Sequence, residues 1–474
     1  MDATDLAYAG IAKQAELIAA GEVSSRELVD LYLERIERLN PKLNAFRVVL
    51  AERARLEADQ ADARRRAGTP PAERPLLGVP IAVKDEIDVA GEVTTFGTNA
   101  YGEEAREDAE VVRRLRAAGA VIIGKTHMPE LGMFPYTESA TWGFTRNPWN
   151  IERSPGGSSG GSGAAVAAGL VGAALAADGG GSIRIPAARC GLFGCKPQRA
   201  RVPLAPHIDA WYGLGVNGVL TRSVLDTALF FDAIAEGPQD PGAPPAPERP
   251  FLQTVREAPQ RLRIAVSTSL PPSPLTRLHS DNAAAVQETA ELLRSLGHEV
   301  HEREIDHGPL APPLEFVARY LRGIYDEAGA LPHPERLERR TRAMARLGGL
   351  LPPALVDRAR AREQQVAERY NEGLADHDVL LTPVTPAPAP MLGDWEGRGW
   401  LWTATLSSAI VPYCVPWNYT GQPACSVPAG FGANGLPRAV QLVGRANDEA
   451  TLLTLAAQIE AERPWAQERP PGFS

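Results

Sequence analysis

Apolar residues along this chain recur at two different periods. From Leu28 onward, Leu31, Tyr32, Ile36 and Leu39 follow helical spacing, and Ser24-Ser25-Arg26-Glu27 just before them has the form of a capping box. A helix is expected to begin there and to close before Pro41. A second helical stretch covers 53–66. Residues 77–83 read instead as a short, continuously apolar strand. Asp108 is expected to cap a helix that runs to Ala118, Gly119 to end it, and Val121-Ile122-Ile123 to form the next strand, which makes a βαβ unit. The pattern returns as a strand over 262–266, a helix over 281–296 and a strand over 298–301. It occurs last as a strand over 439–443 followed by a helix over 449–461. Strands alternating with helices place the chain in the α/β class.

Composition narrows the picture. The 474 residues exceed the usual domain size, yet one large α/β domain over 1–474 is expected, with a helical region over 1–70, a core over 78–200 and a Pro-rich surface crossover over 237–250. A net charge of −9 argues against a nucleic-acid surface, which needs a basic face. The arginine-rich stretch 336–362 carries interleaved Glu335, Glu338, Asp357 and Glu363, as a solvated helix face does. MDATDLAYAG has neither a basic nor an apolar signal region, and 154–177 is too polar for a membrane span, so a cytoplasmic protein without membrane attachment is expected. Cys190, Cys195, Cys414 and Cys425 lack metal-binding or redox spacing. Free thiols and no metal are expected.

The segment PGGSSGGSGAAVAAGLVGAALAADGGGSIRIP, from Pro155 to Pro186, is the candidate active centre. Ordering glycine costs roughly 0.5–1 kcal/mol per residue. Glycines at Gly156, Gly157, Gly160 and Gly161, and again at Gly179, Gly180 and Gly181, therefore imply bare backbone close to a ligand around Ser158 and Ser182. A flexible linker would not continue into the alanine-rich run that follows. A Walker loop requires a lysine that is missing here. Gly156-Gly157-Ser158-Ser159-Gly160 satisfies the G-x-S-x-G nucleophile elbow, but the turn-like Asn147-Pro148-Trp149-Asn150 stands where the elbow needs a strand. Lysine usage adds a second signal, since only five of the 49 basic residues are lysine: Lys13, Lys42, Lys84, Lys125 and Lys196. Lys84 ends the strand Val79-Pro80-Ile81-Ala82-Val83, where open α/β sheets build sites. It is either a charged residue finishing an edge strand or a base, because lysine loses its proton when desolvated whereas arginine keeps it.

These residues resemble the amidase signature hydrolases. The resemblance rests on Gly78 through Asp85, Gly124-Lys125-Thr126, Thr145-Arg146-Asn147-Pro148-Trp149, Gly156 through Ser162, Asp178 through Pro186, Cys190-Gly191, Lys196-Pro197, and Pro416 through Pro423 near the C-terminus. It covers nearly the whole chain and includes the family's spacing between the two serines. It implies an amidase signature fold, a mixed, mostly parallel β-sheet surrounded by α-helices. It also implies a Ser-cisSer-Lys triad that needs no cofactor: Ser182 as nucleophile, Ser158 in a cis peptide as proton relay and Lys84 as base. The N–H groups of Gly179, Gly180, Gly181 and Ser182 would form the oxyanion hole, and Ser159, Asp178 and Arg184 would hold these pieces. The eight histidines, His127 and His207 among them, show no spacing that favours a Ser-His-Asp site.

The sequence departs from the family in one instructive place. Most members read Gly-Thr-Asp-Thr-Gly-Gly-Ser where this chain reads Ala176-Ala177-Asp178-Gly179-Gly180-Gly181-Ser182, which suggests a looser oxyanion loop. Met133, Phe134 and Trp417 match positions lining the acyl pocket of relatives, and the aromatic run over 395–419 points the same way. A small-molecule apolar or aryl amide is therefore the expected substrate, with carbamates and esters open to the same chemistry, in a monomer or homodimer. A glutamine-hydrolysing subunit of a tRNA-dependent amidotransferase is the rival within the family, although 316–342 lacks that subunit's tyrosine-rich, lysine-containing character. A catalytically inactive binding module is the rival outside it, against which all three triad positions are intact.

Overall fold

Eleven strands drawn from both halves of the chain pair into one mixed sheet, in the order Phe46–Val49, Val121–Thr126, Pro80–Lys84, Ala173–Asp178, Val216–Thr221, Phe193–Lys196, Ala424–Phe431, Pro437–Gly444, Val379–Pro383, Arg263–Val266 and Glu299–Glu302. The computed structural model describes residues 1–207, 209–235, 242–257, 260–270, 276–307, 314–372 and 374–473. Parallel pairing occurs in two blocks. One joins Val121–Thr126, Pro80–Lys84 and Ala173–Asp178; the other joins Val379–Pro383, Arg263–Val266 and Glu299–Glu302. Antiparallel ladders connect the blocks through the middle of the sheet. The central strands are buried along their length, as apolar strands covered on both faces must be. The helices Ser25–Leu43, Val224–Ile234 and Glu449–Glu462 share one continuous core with them, through residues such as Leu28, Phe230 and Leu452. The expected mixed sheet surrounded by helices is thus present.

Two of the expected βαβ units close as parallel pairs, around the helices Glu110–Ala117 and Ser280–Ser295. The third does not. The strand Pro437–Gly444 runs antiparallel to both neighbours, and the helix Glu449–Glu462 after it leads into no further strand among the described residues. Two helix ends also differ from expectation. Ser25–Leu43 continues past Pro41, because Asn44 turns left-handed and returns its N–H to Asn40, while Asn40 Oδ1 accepts from Ala45 and Phe46. Those bonds offset the one that proline removes. Asp108 is not a cap; the N-cap position falls to Ala109, and the Asp108 carboxylate instead takes the Ala90 N–H and pairs with Arg116.

The four cysteines are free and buried. Within the Pro-rich stretch 237–250, residues 237–241 lie outside the described residues, and Pro245 accepts a hydrogen bond from Arg201. No described helix is long and apolar enough to cross a membrane. The capping box at Ser24 forms in full, with Ser24 Oγ accepting from Glu27 N and Glu27 reaching back to Ser24 N. Ser24→Ala is expected to lower unfolding stability by about 1 kcal/mol, read as a lower denaturant midpoint at unchanged slope. An unmoved midpoint would show that this cap contributes nothing.

Candidate active site

The strands Pro80–Lys84 and Ala173–Asp178 lie side by side and parallel, with Ala82 opposite Ala174 and Val83 opposite Leu175. Their last residues, Lys84 and Asp178, therefore stand together at the carboxyl edge of the sheet, where open α/β folds place their ligands. The Lys84 side chain is 1% exposed, and its Nζ donates to Ser158 Oγ at 2.7 Å. Ser158 follows a cis peptide from Gly157, in the loop that enters the fully buried helix Gly160–Ala167. Ser182 sits in the turn between Ala173–Asp178 and the helix Arg184–Cys190. All three side chains line one cavity of about 710 Å³. Ser159 joins the two serine loops: its N–H donates to the Ser182 carbonyl at 3.3 Å and its hydroxyl to the Ala177 carbonyl at 3.1 Å.

Beneath Ser182 lies a charged pair with no exposure. Asp178 accepts from Arg184 Nε at 3.0 Å and Arg184 Nη2 at 2.9 Å. Burial pushes the carboxyl up, but Arg184, the Asn418 amide and Lys196 outweigh it and hold Asp178 well below the usual carboxylate range. Arg184 in turn reaches the Cys414 carbonyl, Gln441 Oε1 at 2.8 Å and Asn418 Oδ1 at 2.6 Å. Asn418 donates to both the carbonyl and a carboxylate oxygen of Asp178. Asn418 and Gln441 were missed from the sequence. Asn418 lies inside the Pro416–Pro423 motif, a signal that could have marked it, whereas nothing around Gln441 singles it out.

The oxyanion loop differs from expectation at one donor. Gly181 N–H points at Asp178 Oδ1, 2.7 Å away, so it is consumed within the loop and is not free for a ligand. Among the described residues no acceptor takes the N–H groups of Gly179, Gly180 or Ser182. The absent side chain at Gly179 has a structural counterpart: a Cβ there would lie 2.7 Å from the Trp211 ring, which lines the same cavity. This indole covers the loop at Gly179.

Met133, Phe134 and Trp417 are not brought to this cavity. Met133 and Phe134 are buried with Tyr136 and Trp395, and Trp417 meets the edge of Tyr370 in a separate cluster. Apolar packing claims them, and the cavity wall is drawn from Phe96, Tyr101, Leu131 and Trp211 instead. Lys125 and Lys196 are as buried as Lys84 but face elsewhere. Lys125 pairs with Asp85 at 3.0 Å, and Lys196 donates to the Pro197 carbonyl. His207 reaches the cavity, yet no histidine among the described residues hydrogen-bonds either serine. No group of described residues is placed to hold a metal ion.

Two substitutions test this framework. Gly181 has φ +119°, and a Cβ would lie 2.8 Å from both Cys414 Cβ and Ile185 Cδ1, so Gly181→Ala is expected to destabilise the fold by roughly 1–3 kcal/mol. Asp178→Asn leaves the Arg184 guanidinium buried without its counter-charge and is expected to cost about 3–5 kcal/mol. Thermal unfolding of both variants provides the measurement, and a wild-type Tm for either contradicts the geometry.

Comparison with known proteins agrees with this architecture. The Amidase family profile matches residues 27–453. A Mycobacterium bovis protein named "Putative amidase AmiB2" is 52% identical over 99% of both chains. The 6-aminohexanoate-cyclic-dimer hydrolase of a Pseudomonas strain is 36% identical, with 96% of this chain and 95% of the relative aligned. The solved structure of a 6-aminohexanoate cyclic dimer hydrolase complexed with substrate superposes with a TM-score of 0.90 at 32% identity, covering 99% of this chain and 100% of that one. A family profile matched over residues 27–453, a relative 52% identical over nearly the whole chain and a solved structure superposing over 99% of it have one explanation: this chain belongs to the amidase family.

Proposed function

We propose that this amidase cleaves the C–N bond of a small-molecule amide through an acyl-enzyme formed on Ser182. The observation that carries the proposal is the 2.7 Å contact between Lys84 Nζ and Ser158 Oγ in a cavity that Ser182 also lines. In the neutral form Lys84 accepts the Ser158 proton as Ser158 takes that of Ser182, and Ser182 Oγ bonds to the substrate carbonyl carbon. The N–H groups of Gly179, Gly180 and Ser182 face the negative charge that develops on the carbonyl oxygen, a contribution of about 3–4 kcal/mol per donor in other hydrolases. The proton returns from Lys84 through Ser158 to the departing nitrogen, the C–N bond breaks and the amine leaves. Water then attacks the acyl-enzyme, gives up its proton along the same route, and releases the acid with Ser182 restored.

Phe96, Leu131 and Trp211 favour a substrate with an apolar body, in keeping with a relative whose name specifies the 6-aminohexanoate cyclic dimer. Turnover of a matched set of anilide, carbamate and ester chromogens by the isolated chain tests that reading; the anilide is expected to be cleaved without any partner subunit.

Ser182→Ala is expected to reduce turnover to background with the fold intact, and Ser158→Ala to cost several orders of magnitude. Lys84→Arg is expected to be as inactive as Lys84→Ala, since a guanidinium keeps its charge but accepts no proton. Wild-type kcat/KM is expected to rise with pH as the lysine loses its proton. Steady-state kinetics of the variants from neutral to alkaline pH decides the matter, and an active Lys84→Arg enzyme rejects the assignment.

A further inference from the structure

Lys84 has a second partner that neither the motif nor the proposed triad includes. The adjacent acidic residue Asp85 turns away from it, bonding Arg47 at 3.0 Å, Lys125 at 3.0 Å and the Thr95 hydroxyl. Glu86, one residue further, occupies the turn that closes when Ile87 N–H reaches the Lys84 carbonyl. From there Glu86 Oε1 stands 2.9 Å from Lys84 Nζ. The ammonium position is thus bracketed, with Ser158 Oγ at 2.7 Å on one side and a carboxylate on the other. Gly132 leaves room beside both partners: a Cβ there would lie 3.2 Å from Glu86 Oε2 and 3.4 Å from Ser158 Oγ. The Glu86 side chain is 21% exposed and lines the cavity, so it contacts both the base and the space a substrate would fill.

We infer that Glu86 is the positioning carboxylate of Lys84, which aims Nζ at Ser158 and steadies the positive charge that Lys84 acquires when it takes the serine proton. The inference rests on the proposed triad. Its chemistry parallels the aspartate behind the histidine of a serine protease, which orients the base and stabilises its cation without itself being protonated. No additional proton is moved: the one that leaves Ser182 resides on Lys84 beside a carboxylate until it passes through Ser158 to the departing nitrogen. A carboxylate this close favours the ammonium, and its removal makes Lys84 give up its proton at lower pH.

Of the other carboxyls that line the cavity, Glu327 interacts with the pair. Glu327, on the helix Leu314–Ala330, is pushed up to about 8 chiefly by burial, with Glu86 adding to the rise and Lys84 opposing it. Glu327→Gln serves as the background in a parallel series, so that ionisation of Glu327 is absent from the comparison.

The test is Glu86→Gln, which keeps the length of the side chain and an oxygen able to accept from Nζ but removes the charge. With [ε-13C]lysine incorporated, the chain's five lysines give five signals, and Lys84→Ala assigns the one that matters. In Glu86→Gln the Lys84 signal is expected to titrate at lower pH than in wild type. The ascending limb of kcat/KM should move down with it, and kcat on the alkaline plateau should fall on the order of 10- to 100-fold with little change in KM. An unmoved Lys84 titration overturns the inference, and if Lys84→Ala is still inactive the triad stands without Glu86. A Lys84 signal that moves while the activity limb stays also overturns it, and in that case removes Lys84 from the role of base.

Discussion

The buried pair between Asp178 and Arg184 is the constraint on which the site depends. Two charges with no exposure persist only if their remaining donors and acceptors are filled, and here each one is filled by a segment that has to be in place. Asp178 fixes the turn above it by accepting from the N–H groups of Gly181 and Ile183. Arg184 and Asn418 bind that turn to the C-terminal half of the chain, through Cys414 and Gln441. The backbone carrying Ser182 is held from below by electrostatics, which leaves its upper face free for a ligand. This also explains why Gly181, although central to the glycine run, gives its N–H to the framework.

Three lysines are buried in a protein that otherwise uses arginine almost throughout, and their surroundings separate structure from chemistry. Burial lowers the proton affinity of Lys125, and Asp85 partly restores it within a closed cluster with Arg47. Lys196 is pushed down to about 7 by burial and by the nearby Arg184, yet its hydrogen bond among the described residues goes to the Pro197 carbonyl. Lys84 alone among the three lines the cavity and touches a serine hydroxyl. Burial by itself does not identify a base; the hydroxyl within hydrogen-bond distance does.

The cavity is shaped by a trade between backbone and ring. Gly179 leaves room that Trp211 fills, and Trp211 in turn packs edge-on against Tyr320 on the helix Leu314–Ala330. That helix also supplies Glu327, so the wall opposite the serines is apolar in its rings and acidic at Glu327, where it faces Glu86. A side chain at position 179 would displace the indole, and with it the wall.

Local pattern was enough to reveal much of this protein. The capping box at Ser24 and the first two βαβ units follow from apolar periodicity, and glycine placement and the scarcity of lysine single out Ser158, Ser182 and Lys84, all properties of short stretches of chain; that the three belong to one site is what the family resemblance implies. Whatever depends on contacts between distant segments was not legible. Met133, Phe134 and Trp417 look like pocket residues by position but are claimed by packing, because only the folded chain determines which aromatic faces meet one another and which face a void. The strand of the third strand–helix repeat pairs antiparallel with the strand just before it, Ala424–Phe431, and with the more distant Val379–Pro383, so no parallel unit forms. Asp85 and Glu86 are adjacent acids after the same strand, and nothing in the sequence says which pairs with Lys84. The turn after that strand decides it by sending one toward Arg47 and Lys125 and the other into the cavity.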